Sequence, residues 1–78
     1  MVKSKTIPEM CADESGTIEK IERLDLPCVQ RLMTLGLVEG TTVKYVGSAM
    51  GGDPIVVSIY GSELSLHKDC ASHFSIGT

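Results

Sequence analysis

Three residues near the end of the chain are of types that do chemistry. His67, Cys70 and His73 recur at every third position. On one helical turn, residues 67 and 70 stand close together and 73 swings about 60° further round. Imidazole and thiolate suit Zn²⁺ or Fe²⁺. The same residues imitate a cysteine nucleophile beside a base. Neither arrangement is complete, because a metal centre takes three or four ligands and no Cys-x-x-Cys or carboxylate cluster supplies the rest. The simpler reading packs Cys70 inward and leaves both histidines in water. Cys11 and Cys28 complete an odd count with no close spacing, a poor disulfide framework. All three cysteines read as free thiols in a reducing compartment, each a small buried hydrophobe. Gly51-Gly52 lacks the Gly-Lys-Ser/Thr ending of a phosphate loop and reads as a turn. No catalytic, cofactor-binding or metal-ligating residue is assigned, and no enzyme is expected.

The elements that would position these residues are short. Residues 1–6 are polar and read as a flexible terminus, leaving 7–78 as one domain. Thr17 to Arg23 carries Ile18 and Ile21, a spacing of three that breaks strand alternation, so a bulged strand is expected. A helix is the rival there, since Glu19, Lys20, Glu22 and Arg23 tolerate it. Pro27 fits a first helical turn, and Val29, Leu32, Met33 and Leu35 or Leu37 follow as a helical stripe. Gly36 stands where a left-handed cap belongs. The helix is therefore placed at Pro27–Leu35, with Leu32 and Leu35 inward and Gln30, Arg31 and Thr34 outward. Thr41–Gly47, Ile55–Tyr60, Glu63–Leu66 and Phe74–Ile76 read as strands, with a turn at Gly61-Ser62 and one helical turn within His67–His73. Leu32, Val43, Val57, Ile59 and Leu66 are the expected core. The fold class is mainly β: a small closed or half-closed barrel of about five strands, with one short helix between the first two. A barrel filled by its own side chains leaves little pocket volume.

Composition removes several function classes. The chain has 78 residues, 42% of them hydrophobic, which suits one small folded domain rather than disorder. Its longest run of large apolar residues is Ile55-Val56-Val57, far short of the about 20 that a membrane helix needs. No secretory signal is read, so the expected compartment is cytoplasmic. The net charge is −3 and aromatics are confined to Tyr45, Tyr60 and Phe74, which disfavours nucleic acid. Residues 26–50 carry Arg31 and Lys44 against Glu39, so the middle of an acidic chain is slightly basic. Arg31, with Met33, Tyr45 and Met50, offers the types found at contact surfaces.

The run Gln30-Arg31-Leu32-Met33-Thr34-Leu35-Gly36-Leu37-Val38-Glu39-Gly40-Thr41-Thr42-Val43 resembles the central signature of the FeoA family. That signature is Arg-Leu, two residues, Leu-Gly-Ile/Leu, two residues, Gly, two residues, Val. The resemblance continues through Gly52-Asp53-Pro54-Ile55, Val57-Ser58-Ile59-Tyr60-Gly61, Leu64-Ser65-Leu66 and Cys70-Ala71 to the strand around Phe74–Ile76. Where the family commonly reads Ala-Leu-Arg, this chain has Ser65-Leu66-His67. The resemblance implies a small cytosolic SH3-like β-barrel that modulates FeoB, a ferrous iron transporter with a cytosolic GTPase domain, by protein–protein contact. It carries over no catalytic residue. Similar domains end the DtxR-type metal-dependent repressors. Two alternatives stay open: a direct transition-metal-binding or metal-sensing domain, and an interaction module unrelated to iron. Self-association also stays open. The surface expected to meet a partner is the outer face of Pro27–Leu35 with the loop Met50–Asp53.

Overall fold

The computed structural model describes residues 4–77, and the side chains of Ser4 and Met50 lie outside that description. Six strands form one antiparallel sheet: β1 (Ser4–Thr6), β2 (Ser15–Ile21), β3 (Thr42–Ser48), β4 (Ile55–Ile59), β5 (Ser62–Leu66) and β6 (Phe74–Gly77). Their order is β1-β6-β2-β3-β4-β5, so pairing stops at β1 and β5 and the sheet is open. Two helices interrupt the strands, α1 (Pro27–Thr34) and the single turn α2 (Lys68–Ala71).

The spacing of three in β2 has a structural cause. Ile18 pairs with Ile76 and Lys20 with Ser75, so the register shifts between them. That irregularity brings Ile18 and Ile21 to the same buried side. In β4 strict alternation buries Ile55, Val57 and Ile59. These meet Val43 of β3, Leu66 of β5 and Phe74 and Ile76 of β6 in one core. All five expected core residues, Leu32, Val43, Val57, Ile59 and Leu66, are buried there.

α1 departs from the expected phase at its end. Val29 and Leu32 face the core, but Leu35 is 50% exposed. The helix stops at Thr34, and two bonds close it: Gly36 N–H donates to the Met33 carbonyl at 3.1 Å and Leu37 N–H to the Leu32 carbonyl at 3.0 Å. This is a Schellman cap, which pairs the residue after the glycine with the last helical turn. Leu37, fully buried, therefore takes the inward place expected of Leu35. Gly36 has φ +115°, as a left-handed cap requires. The buried Thr41 hydroxyl donates to the Gly36 carbonyl at 2.9 Å and fixes the reversal from the other side.

The N-terminal expectation also changes. Residues 1–3 lie outside the described residues, but Ser4–Thr6 are an edge strand on β6 rather than a loose end. The polar side chains read as a solvated tail are used locally. Lys5 Nζ sits 2.6 Å from Glu14 Oε2, and Thr6 donates its backbone N–H and its hydroxyl to Glu9 Oε1. Ile7, next in the chain, is fully buried and anchors the segment. This added strand puts α1 between the second and third strands, and α2 is a second helix.

Candidate functional site

α1 and α2 lie beside each other and leave a groove of about 480 Å³ between them. α1 supplies Pro27, Cys28, Arg31, Leu32 and Leu35 to one wall. The end of β5 and α2 supply Ser65, Leu66, His67 and Cys70 to the other. The groove lies beside the sheet core, not inside it, so the filled interior and the pocket coexist. Its lining is mainly apolar and includes one cationic side chain, that of Arg31.

α2 is positioned by a loop far away in sequence. Lys68 N–H donates to Asp53 Oδ1 at 3.1 Å, so the Asp53 carboxylate satisfies a free donor of the first turn. His67 Nδ1 lies 3.7 Å from the same oxygen. The loop around Met50–Asp53 thus reaches the groove through Asp53. The Met50 side chain, expected as a contact, lies outside the described residues.

His67, Cys70 and His73 do not form one cluster. His67 and Cys70 share the groove, but His73 does not line it. Its carbonyl instead accepts the Glu22 backbone N–H at 2.8 Å on the β2 side. Among the described residues, no three His, Cys, Asp or Glu side chains gather as a metal would require. Burial pushes the Cys70 thiol up to about 12, and the neighbouring Cys28 thiol adds to the shift. Cys70 is thus protonated at neutral pH, the opposite of an activated nucleophile. The cysteines are free, but only Cys70 is the buried hydrophobe expected, for Cys11 and Cys28 are exposed. Among the other contact candidates, Tyr45 is buried, Met33 is half-buried and Arg31 is exposed.

One residue at this surface is misplaced by sequence reasoning. Tyr60 reads as the last residue of β4 but forms the hairpin loop with Gly61, both at positive φ, 50° and 82°. Its side chain is 83% exposed, and its ring edge passes 4.0 Å from where a Cβ on Gly36 would stand. Tyr60 therefore stands near Gly36, just beyond the C-terminal end of α1. A two-residue loop with left-handed geometry at both positions ordinarily carries Asn-Gly or Asp-Gly. That departure was the available signal, and strand propensity obscured it.

No helix of the described residues is long and apolar enough to cross a membrane. The family model described as FeoA domain matches residues 5–76. FeoA from Chlorobium tepidum is 30% identical, superimposes with a TM-score of 0.81, and is matched over 92% of this chain and 68% of that one. FeoA from Stenotrophomonas maltophilia, a procaryotic SH3 domain protein solved with zinc, is 24% identical over 91% of this chain and 87% of its own, at TM-score 0.79. A manganese-dependent transcriptional repressor shares the fold at TM-score 0.87 and 13% identity, covering all of this chain and 43% of the repressor. No curated protein sequence is a significant match. The signature around Arg31–Val43, the SH3-like sheet and the match across nearly the whole chain place this protein in the FeoA family, which is associated with ferrous iron transport.

Proposed function

We propose that this chain is a cytoplasmic accessory protein that modulates a FeoB-like ferrous iron transporter by docking on its cytosolic GTPase domain. The observation that carries the reading is the surface at the end of α1, where exposed Arg31 and half-exposed Leu35 line the groove and exposed Tyr60 stands near Gly36. Arginine and tyrosine are the commonest interface anchors, and an apolar neighbour excludes water from them. Tyr60 is held in a left-handed conformation while contributing little to the core, and such retained strain is characteristic of functional positions. Burial pushes the Cys70 thiol up, away from the thiolate form, and the exposed arginine and apolar side chains of this surface support contact as its use.

The test is titration of a FeoB-like cytosolic domain with wild type, Arg31→Glu and Tyr60→Ala, with thermal melts alongside. Each variant should weaken binding at least about tenfold, equivalent to about 1.4 kcal/mol. Full-strength binding by both folded variants would move the contact elsewhere. No binding by wild type would remove the transporter as partner.

The zinc in the S. maltophilia FeoA structure favours metal binding as a second reading. Cys28, Cys70 and His67 are the soft donors facing this groove, but they do not gather as a ligand set. Metal analysis of the purified chain separates the readings: stoichiometric zinc or iron would put metal binding first.

A further inference from the structure

Cys28 and Cys70 are 42 positions apart in sequence and face one groove from two helices. Cys28 is the second residue of α1 and is exposed, whereas Cys70 is the third residue of α2 and is buried. α1 and α2 pack beside each other, and Cys28 adds to the upward shift that burial gives the Cys70 thiol. Cys11 is exposed on another part of the surface and does not line the groove. An open thiol that shares a groove with a covered one is the arrangement in which one sulfur meets an oxidant and the other captures the product.

We propose that Cys28 and Cys70 form a reversible dithiol–disulfide pair whose oxidant is a hydroperoxide. Cys28, as thiolate, attacks a peroxide oxygen. The O–O bond breaks, the departing hydroxide takes a proton and leaves as water, and Cys28 becomes the sulfenic acid. The Cys70 sulfur then attacks Cys28 Sγ. The S–O bond breaks, and the hydroxyl departs with the Cys70 proton as a second water. One molecule of hydrogen peroxide is reduced to two waters while two thiols are oxidised to one disulfide. The order follows from exposure: Cys28 is open and meets the peroxide first, whereas Cys70 is covered and attacks only as its proton passes to the departing hydroxyl. The bond ties the first turn of α1 to α2 and removes the exposed thiol from the groove wall. This pairing does not depend on what the groove binds.

The experiment treats the reduced full chain with a small molar excess of hydrogen peroxide, alkylates the remaining thiols and maps the peptides by mass. The expected product is lighter by about 2 Da before alkylation, carries a Cys28–Cys70 cross-link, and returns to starting mass with dithiothreitol. Cys28→Ser, an exposed change that leaves the fold intact, should abolish the cross-link, and Cys11→Ser should leave it unchanged. The proposal is overturned if Cys28 proceeds to a sulfinic acid about 32 Da heavier while Cys70 stays alkylatable after unfolding. A cross-link through Cys11, or between two chains, overturns it equally.

Discussion

Gly36 concentrates several constraints in one residue. Its φ is +115°, and an added Cβ would stand 3.2 Å from Ile59 Cδ1, tight for a side chain inside the core. Gly36→Ala should cost about 1 kcal/mol or more from left-handed geometry alone, before any shift of Ile59. Urea unfolding with an unchanged slope measures it, and a wild-type midpoint would show that the cap reorganises freely. Leu32 tests the same cap from inside: Leu32→Ala should cost about 2–5 kcal/mol, since Leu32 is buried and its carbonyl anchors Leu37. Tyr60 runs the other way. Tyr60→Asn suits the two-residue turn and should raise stability by about 1 kcal/mol while weakening partner binding. A melt and a titration on one variant decide this, and a loss of stability would mean that the exposed ring packs usefully on Gly36. Gly36 was legible from its place after a helical stripe. Tyr60 was not, because a tyrosine following Ile55–Ile59 continues a strand pattern equally well.

Among the elements, β1 pairs with β6 through its backbone, and groups that titrate brace the same segment against Glu14 and against its own following turn. The Lys5 side chain holds the Glu14 carboxyl below the usual glutamate range, and the Cys11 backbone N–H adds to it. Glu9 is lowered by the Thr6 backbone N–H and then by its hydroxyl. A depressed folded-state pKa contributes stability above the ordinary glutamate value of about 4.3, and that contribution is lost as pH falls through the folded value. Between about pH 6 and pH 3, amide protection at the β1–β6 pairing should therefore fall while the β3–β4 pairing keeps its own. Equal protection of both pairings at the acid end would mean that Ile7 alone anchors the segment. The element reading went astray where local pattern competes with longer contacts. Helical spacing put Leu35 inward, but the cap turns the chain within two residues and delivers Leu37. Polar Ser4-Lys5-Thr6 carried no strand signal, because its partner is Ser75-Ile76-Gly77 at the opposite end of the sequence.

At the scale of the molecule, a small mainly β fold was readable from short strands separated by turns, its SH3-like form from the family resemblance, and part of the core from alternation in β4 and β5. The groove was not, since it exists only where α1, β5 and α2 meet, and no spacing along the chain announces that Cys28 faces Cys70. The open edges give a further test. β5 is short and shows water Ser62, Glu63 and Ser65, polar positions that discourage added strands. β1 shields the outer edge of β6, where Phe74 and Ile76 are buried. Removing residues 1–6 should lower the melting temperature and raise the apparent mass with concentration in ultracentrifugation. A truncated chain that stays monomeric at all concentrations would show that β6 needs no cover. The strand order also dictates when this chain can fold during synthesis. β6, at Phe74–Gly77, is the strand inserted between β1 and β2, and it contributes Phe74 and Ile76 to the core. While those last residues are still inside the ribosome, the two earliest strands have no common neighbour. Closure of the domain is therefore an event that follows translation of residue 77. Until then the chain is a client for whatever shields apolar segments, and a polypeptide stopped at residue 67 should show no cooperative melt.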